Sequence, residues 1–168
     1  MSHGTGNDFL RVSPVFRVLM LPEYDHAMPA LPDRRLRPRD CVRLAAEVFG
    51  RELVVMWSEG LVSGDIADDD PRYPDISWLK GTIGWPAPWT RVWGARALLH
   101  LGPDHPEVVL AATGDASWRV REMALKVIAA HRLPDANALI DAMVDDPVER
   151  VRIQAWRALG RPAGEAPA

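Results

Sequence analysis

Cysteine is almost absent from this sequence, since Cys41 is the only one among 168 residues. A single thiol cannot form a disulfide within the chain, and it favours a reducing compartment. Long apolar runs are missing as well. The apolar stretch at 15–21 is interrupted by Arg17 and is shorter than the roughly 20 residues of a membrane-spanning helix. We therefore expect neither a signal peptide nor a membrane span, and a cytoplasmic location.

An excess of charge of either sign is also lacking. The 20 Lys and Arg residues nearly balance the 23 Asp and Glu residues, which leaves a formal net charge of −3. A mildly acidic balance creates no general attraction to nucleic acids or to membranes. The composition is otherwise ordinary for a soluble domain, with 48% hydrophobic and 26% charged residues. The length predicts one structural domain with a sizeable core.

The sequence does contain an internal repeat. Residues 103–129 align with residues 134–160 at an offset of 31 positions, and eight of the 27 aligned pairs are identical. A fixed period of this size is typical of stacked helical repeats. The identical pairs are Pro103/Pro134, Asp104/Asp135, Ala111/Ala142, Asp115/Asp146, Arg119/Arg150, Val120/Val151, Arg121/Arg152 and Ala124/Ala155.

Each repeat is predicted to be a pair of helices, A and B. Proline in the first turn and glycine after the last turn mark several of the helix ends. Asp115 and Asp146 are expected to cap the second and third A helices. The A helices are predicted at 88–101, 116–131 and 147–159, and the B helices at 106–113 and 135–144.

The A helices carry an apolar face at helical spacing. In the third copy Val148, Val151, Ala155 and Leu159 recur on one side. One helical hairpin cannot bury such a face alone, so neighbouring hairpins have to stack. The sequence thus predicts an all-α fold, a short α-solenoid with a partly irregular N-terminal cap.

The run from Asp146 and Pro147 through Val151, Arg152 and Ala155 resembles a HEAT repeat of the short kind found in phycobilin lyases. The segment that begins at 115 is similar. The resemblance implies a hydrogen-bonded ladder between successive repeats, formed by Asp115, Arg121, Asp146 and Arg152. The first copy departs from this pattern, because Pro88 and Gly94 stand at the Asp and Arg positions.

The remainder of the chain is expected to cover the first repeat. Two helices are predicted within 38–63, followed by a long connection that Trp78 and Trp85 anchor by burial. Val92 and Leu99 replace the basic residues of the later A helices, so something from 38–85 has to pack on them. The predicted organisation is an irregular leader at 1–37, a helical cap with a long loop at 38–87, HEAT-like repeats at 88–160 and a tail at 161–168.

Several patterns invite a chemical interpretation. Cys41 lacks a motif that would place a base beside it, so a small buried residue is favoured over a nucleophile. The aspartates of 65–75 do not follow the spacing of a calcium loop, and a solvated acidic loop is favoured. Trp85, Trp89 and Trp93 lie four residues apart and are interpreted as core packing. We predict no catalytic residue, metal site or cofactor.

The function that the sequence favours is a non-enzymatic scaffold for protein–protein interaction. B helices usually line the concave side of such arrays, where Glu107, Asn137 and Asp141 are candidate contacts for a protein or peptide. One alternative is a DNA-lesion glycosylase of the HEAT-like type, which would need cationic and aromatic side chains to bind DNA and a base. Another is a bilin or small-ligand lyase accessory subunit. The glycosylase candidates are Trp118, Arg119, Arg121, Arg150 and Arg152, but the acidic balance argues against binding of duplex DNA.

The third A helix offers a further candidate surface. Ile153 and Trp156 lie on a flank away from its core face. If no later repeat covers them, they form a contact surface for a second copy of the chain or for another partner. The alternative is that this flank faces the preceding repeat or lies beneath the tail.

Overall fold

The computed structural model describes residues 29–161. The chain divides into two units, 1–30 and 31–168. Only Pro29 and Ala30 of the first unit are described, and they have no regular structure. The rest of the predicted leader up to residue 28, and the tail from residue 162, lie outside the described residues.

Within 31–161 all regular secondary structure of the second unit is helical, which confirms the all-α prediction. It has seven α-helices, two 3-10 turns and no strand in that range. None of these seven helices is both long and apolar enough to cross a bilayer. They are α1 (Pro38–Phe49), α2 (Arg51–Ser63), α3 (Pro88–Leu101), α4 (Pro106–Ala111), α5 (Trp118–His131), α6 (Asn137–Met143) and α7 (Glu149–Ala158).

The two N-terminal helices form where the sequence predicts them. Pro38 opens α1, and Gly50 separates α1 from α2 with a backbone φ of 86°. Glycine adopts this conformation without the steric cost that a side chain would add. The apolar run 53–57 is helical, as predicted, and places Val54 and Trp57 in the core.

The connection between α2 and α3 contains one structured turn that the sequence did not reveal. A 3-10 turn, Ile76–Leu79, inserts its apolar side chains into the core, and Asp75 Oδ1 accepts a hydrogen bond of 2.7 Å from the Ser77 N–H. Trp78 is buried as predicted and contacts Phe49 edge to face. The prediction for Trp85 is wrong: its side chain is 49% exposed, because it rests against neighbouring indoles instead of entering the core.

The A helices α3, α5 and α7 pack in succession, and the B helices α4 and α6 lie against α5 and α7. The small residue in the middle of each A helix is fully buried, at Ala97, Ala124 and Ala155. A methyl side chain at this position lets neighbouring helices approach closely. The repeat thus forms a short helical solenoid in which each A helix contributes to one continuous core.

Both later A helices begin two residues after the predicted position. Asp115 and Asp146 do not occupy the N-cap itself, which is Ser117 in α5 and Val148 in α7. Each carboxylate instead accepts the N–H of that capping residue, at 2.7 and 2.8 Å. A short side chain that bonds its own backbone two residues ahead forms such a turn before a helix.

Helix α6 is shorter than predicted. It begins at Asn137 and not at Asp135, because Asp135 has a φ of 58° and lies outside the right-handed helical region. Helix α4 ends at Ala111 and continues as the second 3-10 turn, Ala112–Gly114.

Helix α2 covers the apolar side of α3. Val92 is buried in the same cluster as Val55 and Val62 of α2, and Leu99 packs against that cluster. A Cβ atom at Gly94 would lie 2.6 Å from the Ser58 carbonyl oxygen. The two helices can therefore cross at this distance only because residue 94 has no side chain.

A buried carboxylate joins the cap to the first repeat. Glu59 of α2 is 6% exposed and accepts hydrogen bonds from the N–H groups of Asp104 and His105, both at 2.7 Å. Its second oxygen lies 2.8 Å from His105 Nδ1. Glu59 therefore satisfies backbone donors just before α4, groups that would otherwise lack partners at a helix start.

Candidate interaction surface

The aspartates and arginines of the repeats form a joint between α5 and α7. Arg121 Nε and Nη2 donate to the two Asp146 carboxylate oxygens at 2.7 and 2.9 Å, while Nη1 donates to the Asp115 carbonyl at 2.8 Å. A bidentate arginine–carboxylate pair is among the stronger charged contacts in proteins. Burial acts to raise the pKa of Asp146, but hydrogen bonds from Arg121 and Val148 hold that pKa below its usual value.

The two outer positions of this ladder differ from the middle one. Arg152 Nη1 donates to the Asp146 carbonyl at 3.0 Å and contacts no carboxylate within 29–161. Asp115 lies 2.7 Å from Arg91 Nε of α3, a residue that the sequence analysis did not single out. Arg91 lies one helical turn before Gly94, which occupies the ladder-arginine position in the first copy. This nearby arginine was the signal in the sequence that could have identified the contact with Asp115. These ladder residues contact one another, which makes them structural rather than ligand-facing.

The three candidate contacts on the B helices are exposed. Glu107 borders an open groove of about 490 Å³ between α2, α3 and α4, together with Val62, Arg91 and Val108. Asn137 and Asp141 lie on α6. Neither of these two residues lines the groove beside Glu107.

A different set of side chains meets at the N-terminal ends of the A helices. We call it the Trp–Arg stack, formed by Trp85, Trp89, Trp118, Arg119 and Arg150. The Trp85 and Trp89 rings meet edge to face with centroids 5.5 Å apart. The guanidinium carbon of Arg119 lies 5.5 Å from the centre of the Trp89 ring and 4.3 Å from that of Trp118. Arg150 lies 5.4 Å from the centre of Trp118.

The helix starts explain why these residues meet. Trp89 is the second residue of α3, Trp118 and Arg119 open α5, and Arg150 is the second residue of α7. Because the A helices pack in succession, their first turns form a row. The Trp–Arg stack therefore crosses all three repeats.

Only some side chains of the Trp–Arg stack are exposed to solvent. Trp85 is 49% exposed, and Arg119 and Arg150 are exposed, whereas Trp89 and Trp118 are half-buried. Trp93 follows Trp89 by one turn and is only 4% exposed. The interpretation of the tryptophan series as core packing is right for Trp93 and wrong for Trp85.

One carboxylate lies beside the stack. Glu122 follows Trp118 by one helical turn and accepts hydrogen bonds from Lys126 Nζ at 2.9 Å and Arg150 Nη2 at 3.3 Å. Arg150 therefore has a carboxylate partner, whereas Arg119 has no ion pair within 29–161.

The flank of α7 is less open than the stack. Ile153 and Trp156 are both half-buried, and the guanidinium carbon of Arg161 lies 4.9 Å from the centre of the Trp156 ring. Trp156 Nε1 is buried and finds no acceptor among residues 29–161.

The structure shows the surroundings of Cys41 and of the acidic loop, two features for which the sequence invited a chemical interpretation. Cys41 is buried, as predicted, and burial raises the pKa of its thiol, which disfavours the reactive thiolate. In the acidic loop, Asp70 pairs with Arg72 at 2.7 Å. In the described part of the chain, no three His, Cys, Asp or Glu side chains converge in a way that could hold a metal ion.

The repeat geometry agrees with a comparison of the sequence against known families. Residues 106–168 match the family model of HEAT repeats. This segment is a HEAT-like repeat array. The matched segment begins at α4 and includes the Arg121–Asp146 joint, whereas α3 lies before it. No curated protein and no solved structure matches the chain. HEAT repeats generally serve as scaffolds for protein interaction.

Proposed function

We propose that this chain is a non-enzymatic scaffold of the cytoplasm that binds a protein or peptide through the Trp–Arg stack. The observation that carries the proposal is a row of half-buried tryptophans and exposed arginines across three successive A helices. Tryptophan and arginine are the residue types enriched among those that dominate binding energy at interfaces. The predicted contacts Glu107, Asn137 and Asp141 would lie outside the centre of this surface.

The position of the arginines supports a role in binding. Arg119 and Arg150 lie in the first turns of α5 and α7, where the positive end of the helix dipole disfavours cations. Helix stability therefore does not account for these two charges. Arg150 has Glu122 as a carboxylate partner, whereas Arg119 has none within 29–161, so Arg119 is the charge that a ligand would pair.

Site-specific photocrosslinking tests the proposal. A photoreactive phenylalanine derivative at position 85 should crosslink to a discrete partner in cells, and the crosslink should weaken when Arg119→Glu is added. The matched control is the same derivative at Met56, an apolar residue of α2 that is 38% exposed. Equal crosslinking from both positions, or none from position 85, would remove the support for this surface.

A second candidate is base excision from alkylated DNA, and one observation favours it. Glu122 places a carboxylate one turn from Trp118, beside Arg150, and that chemistry needs an acid next to aromatic rings. The carboxylate is, however, already bound by two cations. We expect no release of alkylated bases from a methylated duplex. Release that Glu122→Gln abolishes would favour this enzyme over the scaffold. No residue within 29–161 adds support for the other alternative, a bilin or small-ligand lyase accessory subunit.

Association through the flank of α7 stays a prediction. Trp156→Glu should lower the mass of any complex in solution if Ile153 and Trp156 contact a second copy of the chain. Arg157→Glu, at an exposed neighbouring position, is the control. An unchanged mass and unchanged partners for Trp156→Glu would exclude this surface.

A further inference from the structure

We infer that the Trp–Arg stack recognises carboxylate side chains of an acidic peptide segment, with Arg119 as the principal contact. This inference rests on the proposed scaffold function and specifies the partner's chemistry. It starts from the way in which Arg119 is held.

Arg119 is oriented by aromatic rings on two helices. Its guanidinium carbon lies near both Trp89 of α3 and Trp118 of α5. An arginine side chain carries five N–H donors, and contact with a ring uses none of them as a conventional hydrogen bond. Arg119 makes no hydrogen bond and no ion pair with any residue of 29–161. The side chain is therefore held against two rings while its donors lack an acceptor within this part of the protein.

Such an arginine is suited to a carboxylate. The planar donor fork of arginine matches the two oxygens of a carboxylate. Since the stacking already restricts the side chain, binding costs less conformational entropy than it would for a free surface arginine. Exposed Arg150, whose own contact with Glu122 is long at 3.3 Å, supplies a second donor group to the same ligand.

The surroundings favour an anionic ligand with an apolar neighbour. Arg119 has no ion pair within 29–161 and Arg150 has only the 3.3 Å contact with Glu122, and the first turns of α5 and α7 add the positive ends of two helix dipoles. Trp85 lies at the end of the row with about half of its surface exposed. The expected ligand is a short segment with aspartate or glutamate at the arginines and an apolar residue on Trp85.

The same features argue for a peptide over a single-stranded nucleic acid. Nucleic-acid affinity grows with the number of phosphates that cations neutralise, and the stack contains only two cations, one of which already contacts the Glu122 carboxylate. Base stacking also needs free aromatic faces. Two guanidinium groups already lie over the Trp118 ring.

Selection from a random peptide library displayed on beads tests the inference. The full chain, Arg119→Glu, Arg119→Gln and the control Arg43→Glu are used in parallel; Arg43 is an exposed residue of α1 that is remote in sequence from the stack. Peptides enriched on the parent should contain aspartate or glutamate. By fluorescence anisotropy, the affinity of one enriched peptide should fall at least about 10-fold for both Arg119 variants, as for the loss of a charged hydrogen-bonded pair, and stay unchanged for Arg43→Glu.

A double-mutant cycle identifies the contact. Alanine in place of the acidic residue of the peptide should weaken binding to the parent and leave binding to Arg119→Gln nearly unchanged. Enrichment of neutral or basic peptides, or equal binding by Arg119→Gln, would overturn the acidic-ligand inference and leave the scaffold proposal standing. If no peptide is enriched and a 20-nucleotide single strand of deoxythymidine binds instead, both proposals fail.

Discussion

The joint between α2 and α3 and the joint between α5 and α7 use the same repeat position in opposite ways. Position 94 in the first copy corresponds to Arg121 and Arg152 in the later copies. In the later joint, Arg121 reaches across to Asp146 in a nearly buried ion pair. In the earlier joint, Gly94 removes the side chain altogether, and α2 packs directly on the backbone of α3.

This difference shows that the same repeat position can join neighbouring helices through an ion pair or through close packing of the two helices. The joint at Gly94 depends on close approach and should be indifferent to pH and salt. The joint at Arg121 depends on a deprotonated Asp146, because a protonated carboxyl group loses the charge that the guanidinium stabilises. Substitutions at each joint can separate these two kinds of stabilisation.

The largest effect is expected for Gly94→Ala. The new Cβ would lie 2.6 Å from the Ser58 carbonyl oxygen and 2.9 Å from Leu61 Cβ, so α2 and α3 would have to separate. Overpacking of this kind costs about 3 kcal/mol, which exceeds the roughly 1 kcal/mol that alanine gains over glycine in a helix. Urea unfolding followed by circular dichroism measures the change.

Gly114→Ala is the matched control for this prediction. No atom lies within 4 Å of the Cβ that it would add. The variant should be as stable as the parent, or more stable by about 0.5 kcal/mol through a less flexible unfolded chain. An equal loss of stability in both variants would mean that the close approach at Gly94 is not the cause.

Arg121→Ala is expected to be the next most destabilising change, by about 2 kcal/mol. It leaves the Asp146 carboxylate, whose side chain is 3% exposed, without its cationic partner. Arg152→Ala removes hydrogen bonds to two backbone carbonyls but breaks no carboxylate pair among the described residues, so about 1 kcal/mol is expected. Thermal unfolding of the two variants side by side gives the comparison.

The pH dependence of the Arg121 effect follows from Asp146. Because the pKa of Asp146 is lowered in the folded state, its contribution is present above the unfolded pKa of about 3.9 and is lost as the pH falls through the folded pKa. The stability difference between the parent and Arg121→Ala should therefore shrink in acid. A difference that stays constant down to pH 2 would contradict an electrostatic joint.

The smallest effect is expected at His105. Its hydrogen bond and attraction to Glu59 raise the pKa of His105, so its stabilising contribution is complete below about pH 6.5 and disappears as the pH rises through the folded value. Because the imidazole is 61% exposed, the contribution should not exceed about 1 kcal/mol. His105→Gln should approach the stability of the parent at alkaline pH. A gap that instead widens with pH would refute the assignment.

Local signals account for what the sequence predicted well. Proline and glycine at the helix ends, together with the apolar positions of the A helices, placed five repeat helices to within about three residues. The apolar spacing of the third A helix located Val151 and Ala155 in the core. Each of these inferences needs only residues that lie within one or two helical turns of each other.

The features that were missed depend on distances between helices. Glu59 meets His105 across 46 positions, and Arg119 meets Trp89 across 30. The apolar character of tryptophan suggested burial of Trp85 and did not distinguish the core from a surface row of rings. Gly94 was recognised as a departure from the repeat, but the helix that exploits it could not be identified from spacing alone.

The Asp–Arg joint also has a consequence for how the array can grow. Asp115 and Asp146 make the same turn before an A helix, and Arg121 and Arg152 make the same contact with the carbonyl of the preceding aspartate. The Asp turn and the arginine that α5 presents to α7 are thus repeated in α7. A duplicated unit of 31 residues, inserted before Asp146, would meet a matching neighbour on each side. The joint at Gly94 has no such counterpart, so the array is extendable by whole repeats behind α3 and closed in front of it.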